Sequence, residues 1–210
     1  VVVAGNSIGG FLSASMAADH PETVAGLVLV NSAGPINSKI NIAEVNAPAA
    51  AGGKPPFWIA NTVSRLLISY LETSIGKTLG NLYPTNPKAA DAYLADEIYR
   101  AACDPGALGV FRSVFYLPPP RPLNYLVDTY DGPTMVLQGK LDPLNDAVGR
   151  ANQLVALCSN PVELHLLEAG HCPHDETPAA VNERLADFAR RCGPSGVDAT
   201  SGSVAKNAAT

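Results

Sequence analysis

The stretch Val1-Val2-Val3-Ala4-Gly5-Asn6-Ser7-Ile8-Gly9-Gly10-Phe11 decides the fold. An apolar run leads directly into a serine flanked by glycines, and then into an alanine-rich segment suited to a helix. That order reads as a buried-type strand, a sharp turn and a helix. The flanking residues Gly5 and Gly9 are expected where the turn forces close backbone contacts that a Cβ would obstruct. Held at such a turn, the Ser7 hydroxyl projects from the C-terminal end of the strand and is the candidate nucleophile.

Working outward, Phe11 to His20 carries Leu12, Ala14, Met16 and Ala17 as a helix packed on a sheet, closed by Pro21. Leu27-Val28-Leu29-Val30 is a second buried strand, and Asn31 to Pro35 leaves it through small polar residues. Residues 1–35 therefore form the first part of an α/β core. Residues 36–131 change character: prolines multiply (Pro48, Pro55, Pro56, Pro84, Pro87, Pro105, Pro118 to Pro120, Pro122) and helical spacing replaces strand patterning. Phe57 to Leu71 sets Trp58, Ile59, Val63, Leu66, Leu67 and Tyr70 at helical intervals, and Ala89 to Cys103 does the same with Ala92, Tyr93, Ile98 and Tyr99. Such stripes belong to a core in most helices. Together, inserted between two strands, they read as a helical lid over an apolar pocket.

Strand patterning resumes at residues 132–192, with Thr134 to Gln138, a helix over Asn145 to Leu157, the alternating strand Val162 to Leu167 near the sheet edge, and a helix over Pro178 to Arg191. Residues 193–210 hold Gly, Ser, Ala, Thr and Asn with almost no large apolar residue, the composition of a disordered tail.

Composition narrows the classes. The 210-residue chain is 47% hydrophobic and 16% charged, with mean hydropathy +0.10, yet no run is long enough to span a bilayer. A net charge of -5, with scattered Lys and Arg, argues against nucleic-acid partners. The cysteines Cys103, Cys158, Cys172 and Cys192 lie far apart and read as reduced thiols. The chain opens without Met, inside an apolar strand, and reads as a fragment or processed piece whose Val1 to Ala4 edge invites aggregation.

A serine hydroxyl needs an imidazole to take its proton and a carboxylate to orient that imidazole. Both follow in the chain. Asp142 sits just after the strand ending at Gln138, with Asp146 as the rival acid, and His171 follows Gly170 just after the last strand. His20 and His165 fall on a helix end and mid-strand. The Ile8 N–H is one expected oxyanion donor, and a second is expected from a loop upstream of Val1. Asn6, Asn31 and Trp58 are candidate substrate-binding residues. The cluster His171-Cys172-Pro173-His174-Asp175-Glu176 permits a metal reading, but consecutive residues on one loop seldom converge on one ion. No metal and no cofactor are expected. Asp175 and Glu176 read instead as the start of the next helix, complementing its dipole.

Several segments carry a family resemblance: Gly5 to Phe11, Val28 to Asn31, Cys103 to Ala107, Arg121 to Leu126, Leu137 to Asp146 and Gly170 to Glu176. They resemble the α/β-hydrolases of plants and green algae related to pheophytinase and chlorophyll dephytylase. The resemblance implies an α/β-hydrolase fold, of which this chain holds the C-terminal half of a mostly parallel sheet plus a helical lid. It also implies a chloroplast setting, no cofactor, and as partner a hydrophobic small-molecule ester, an isoprenoid ester of a chlorophyll-derived acid. The front strands of that family are missing. Two other readings are a C–C bond hydrolase, whose elbow is similar, and a catalytically inactive ligand-binding protein of the same fold.

Overall fold

The computed structural model describes residues 1–45, 54–117 and 119–193. The element order is β1 (Val2–Asn6), α1 (Ile8–Asp19), β2 (Gly26–Val30), α2 (Ile42–Val45), α3 (Phe57–Leu82), α4 (Ala92–Ala102) and α5 (Ala107–Ser113). A 3-10 turn at Val114–Tyr116 follows, then α6 (Leu123–Tyr130), β3 (Thr134–Gly139), α7 (Ala147–Leu157), β4 (Val162–Leu167), α8 (Pro173–Glu176) and α9 (Pro178–Arg191). The expected disordered tail lies outside the described residues apart from Gly193.

The four strands form one sheet in the order β1-β2-β3-β4, parallel throughout, with Gly5 opposite Leu29, Val30 opposite Leu137, and Gly139 opposite Leu167. All residues of β2 and β3 are buried, as a parallel sheet covered on both faces requires. Alternation then divides the core. Leu27, Leu29 and Val136 face Ala14, Ala17, Leu126, Val127 and Leu154, while Val28, Val30, Met135 and Leu137 face Val181 and Phe188. Because every strand runs the same way, the residues that follow β1, β2, β3 and β4 all emerge on one rim.

The helical insert is shorter than the expected 36–131. Leu123, Leu126, Val127 and Tyr130 of α6 are buried in the main core against α1, and the Tyr130 hydroxyl donates to the Val24 carbonyl at 3.1 Å. That helix therefore belongs to the sheet core. Conversely, α3 runs eleven residues beyond the expected end at Leu71. The Thr73 and Ser74 hydroxyls that would be expected to interrupt it donate back to the Tyr70 carbonyl at 2.9 and 2.8 Å, so the helix absorbs them. In α4 the Asp91 side chain caps the first turn, accepting from the Leu94 N–H at 2.8 Å.

Candidate active site

Ser7 occupies the turn between β1 and α1 with φ 54 and ψ -120, a left-handed conformation costly for a residue with a Cβ. Its backbone is held from several sides. The Ser7 N–H donates to the Val30 carbonyl at 3.0 Å, and its carbonyl accepts from the N–H groups of Gly10, Phe11 and Ala33. The glycines share the work differently from the sequence expectation. A Cβ on Gly5 would lie 2.2 Å from the Gly9 carbonyl, whereas a Cβ on Gly9 would meet open space. The second close approach belongs to Gly10, where a Cβ would lie 2.7 Å from the Ser32 hydroxyl.

Asp142 and His171 stand on the same rim. The loop after β3 is tied to the loop after β4, since Lys140 N–H donates to the Leu167 carbonyl at 2.9 Å and Leu141 N–H to the Ala169 carbonyl at 3.0 Å. Asp142 Oδ2 lies 2.8 Å from His171 Nδ1, and both side chains are buried. Burial alone would push the Asp142 carboxyl up. Hydrogen bonds from His171, from the Asn31 amide and from the Leu144 N–H outweigh it, and the net pKa lies below the ordinary carboxylate value. An ionised carboxylate only accepts, so the proton sits on His171 Nδ1 and Nε2 is left as a base. The rival Asp146 is the N-cap of α7, accepting from the Gly149 N–H at 3.1 Å.

Two of the candidate substrate-binding residues have a different placement. Asn31, also left-handed at φ 42, donates from Nδ2 to Asp142 Oδ2 at 2.7 Å and to the Gly170 carbonyl at 3.2 Å. Its Oδ1 accepts the Gly139 N–H at 2.9 Å. Asn6 donates from Nδ2 to the His171 carbonyl at 2.9 Å and to the Val30 carbonyl at 3.3 Å. Both amides therefore position the acid and the histidine, and Asn6 joins the histidine loop one residue before Ser7. Trp58 is 69% exposed near the start of α3. The opposite end of that helix, the Leu82 carbonyl, accepts the His171 N–H at 3.0 Å. Twenty-four residues of helix separate them by roughly 36 Å, so Trp58 is remote from the site.

Among the described residues, the Ser7 hydroxyl has no hydrogen-bond partner; contacts of this kind often tighten only when substrate arrives. The Ile8 N–H opens α1, where the helix leaves its first amides without internal acceptors and the dipole favours negative charge. The rim thus brings an imidazole oriented by a carboxylate and a helix N-terminus to the side of the sheet that carries Ser7.

The model of the alpha/beta hydrolase fold family matches residues 1–178. The chain belongs to this family. No curated protein matches it in sequence. Solved structures similar to this α/β-hydrolase include a bacterial membrane phospholipase A, a virulence factor, with TM-score 0.59 and 22% identity over 91% of this chain and 57% of that one. A meta-cleavage product hydrolase from Pseudomonas fluorescens aligns with TM-score 0.61 and 19% identity, over 92% and 65% of the two chains. An esterase from Thermogutta terrifontis gives 0.57 and 18%, over 91% and 65%. The α/β-hydrolase described here thus spans less than two thirds of the length of each of these structures.

Three contributors escaped the sequence reading. Glu176 does not start a long helix as expected. Buried in the short α8, it accepts from the Gly170 N–H at 2.6 Å, the Thr85 N–H at 3.1 Å and the Thr85 hydroxyl at 2.7 Å. Asp175 likewise accepts from the Tyr83 hydroxyl at 2.9 Å. Arg150 of α7 reaches back to the carbonyls of Ser32 and Gly34, bracing the loop after β2. Only the spacing of Glu176, five residues past His171, hinted at any of this. Burial raises the pKa of the Cys172 thiol, next to His171, and nearby carboxylates add to this against an opposing Tyr83 hydrogen bond.

Proposed function

We propose that this protein is a serine hydrolase that cleaves a carboxylic ester of a hydrophobic substrate through Ser7, His171 and Asp142. The observation that carries this reading is the buried contact of 2.8 Å between Asp142 Oδ2 and His171 Nδ1, on the same rim as Ser7 with its strained, left-handed backbone. His171 Nε2 takes the Ser7 hydroxyl proton as Oγ bonds to the ester carbonyl carbon, and the carbonyl oxygen becomes an oxyanion facing the Ile8 N–H. The C–O bond to the alcohol then breaks, the alcohol leaving with the proton from His171. A water molecule, deprotonated by the same nitrogen, hydrolyses the acyl-enzyme and restores Ser7.

A carboxylate nucleophile is absent from the elbow, which argues against haloalkane or epoxide chemistry. The motif resemblance supports an isoprenoid ester as the first substrate to assay. Ser7→Ala is expected to abolish turnover of medium- and long-chain nitrophenyl esters and labelling by a fluorophosphonate probe. Labelling that persists in Ser7→Ala, or turnover within twofold of the wild type, would overturn the assignment.

A further inference from the structure

The long helix α3 is apolar on two opposite faces. Ala60, Ser64 and Leu79 lie on the buried side, and α3 packs against α4 and α5. On the opposite side Trp58, Thr62, Leu66 and Tyr70 succeed one another at four-residue intervals, with Val63 and Leu67 beside them. Leu66 is 67% exposed and Tyr70 is 66% exposed. A contiguous exposed apolar row of this kind marks an interaction surface.

The charges indicate what covers it. Residues 54–88 carry Lys54, Arg65, Lys77 and Lys88, all exposed, against the single anion Glu72, in a chain of net charge -5. Lys77 lies on the same side as the apolar row, about two turns beyond Tyr70. A second copy of the chain fits poorly, because a two-fold interface would bring these cationic surfaces against each other. Substrate fits poorly as well, since Trp58 lies roughly 36 Å along the helix from the end that meets His171. A Trp and a Tyr at the polar–apolar boundary, aliphatic side chains between them and flanking lysines are what a helix lying in a lipid headgroup region requires.

We propose that the outer face of α3 is a docking surface for an anionic lipid bilayer, with Trp58, Leu66 and Tyr70 entering the interface and Lys54, Arg65, Lys77 and Lys88 facing the headgroups. The inference does not depend on the identity of the nucleophile.

Trp58 is the single tryptophan of the chain, so its fluorescence reports the docking directly. The protein is titrated with vesicles of phosphatidylcholine alone and with vesicles containing phosphatidylglycerol, and its sedimentation with them is measured in parallel. Anionic vesicles are expected to shift the emission to the blue and to bind roughly tenfold or more tightly than neutral ones at low salt, an advantage that added salt removes. Leu66→Glu and Lys77→Glu, each checked for unchanged circular dichroism, are expected to weaken binding at least tenfold. Absence of binding to either vesicle, or equal binding to both, overturns the proposal. So does a blue shift that grows with protein concentration without vesicles while the mass doubles, which would make the occupant a second copy.

Discussion

Asn31 and His171 bind the same carboxylate oxygen: Asp142 Oδ2 accepts from the Asn31 amide at 2.7 Å and faces His171 Nδ1 at 2.8 Å. The amide comes from the end of β2, one strand over from the acid, so the orientation of the carboxylate is set by the sheet register and not by the acid loop alone. Asn31 also accepts the Gly139 N–H, which leaves its amide a single orientation that satisfies all partners.

Asn31→Asp tests this arrangement, because Asp tolerates the left-handed backbone that Asn31 adopts. The new carboxylate removes a hydrogen bond from Asp142 and places a like charge against it, so the two share a proton and their protonation moves to higher pH. In the wild type the Asp142 pKa is depressed, and its stabilising contribution is present above the unfolded-state pKa and is lost as pH falls through the lower folded value. The variant is therefore expected to be less stable at neutral pH, with the deficit shrinking on acidification. The extra negative charge also moves the acidic limb of the pH–rate profile upward and lowers kcat by roughly tenfold or more through misorientation of the imidazole. Urea denaturation across pH and kcat/KM profiles measure both effects, and superposable profiles would show that Asn31 does not hold the acid.

The two glycines around Ser7 are expected to respond in opposite ways. Gly5→Ala would drive a methyl group to within 2.2 Å of the Gly9 backbone, which has no flexible end to move aside. The cost is expected to be about 3 kcal/mol or more, with loss of activity, because the elbow must open. Gly9→Ala meets no atom within 4 Å and lies in the first turn of α1, so it should be neutral or stabilise by up to about 1 kcal/mol. Thermal unfolding of the two variants distinguishes these outcomes, and equal destabilisation would contradict the contact assignment.

The elbow, all four strands and the His171 loop were legible in the sequence because they rest on local signals. Val1 to Ala4, Leu27 to Val30 and Val162 to Leu167 are short apolar or alternating runs bounded by turn residues, and a parallel sheet leaves such runs nearly unbroken. Asn6 and Asn31 were legible as residues of the rim, since their position at strand ends is readable, whereas the direction of their amides toward the Asp142 and His171 loops is not. The placement of α6 was missed because its apolar positions look the same whether they meet the core or the insert. Trp58 was misplaced for a related reason: helical periodicity identifies a stripe without saying whether it faces protein, substrate or solvent.

Glu176 supplies the remaining prediction, on how the insert is joined to the His171 loop. Its carboxylate bridges the Gly170 N–H, one residue before His171, and the N–H and hydroxyl of Thr85, just after α3. Truncation to Ala leaves the buried Gly170 N–H without its acceptor while the exposed Thr85 donors can turn to water, so Glu176→Ala should lose roughly 1–3 kcal/mol. Glu176→Gln keeps one acceptor oxygen and presents an amide NH2 to the other donors, so its loss should be about half as large. If the bridge only stabilises the fold, kcat at a temperature where both variants are folded will equal that of the wild type. If it positions His171, kcat should fall in both variants in the order Ala below Gln below wild type, with KM changing less. Thr85→Val, which removes the hydroxyl donor and leaves the Gly170 contact in place, should lose stability while keeping most of kcat. That ordering separates the half of the bridge that fastens the insert from the half that aims the imidazole.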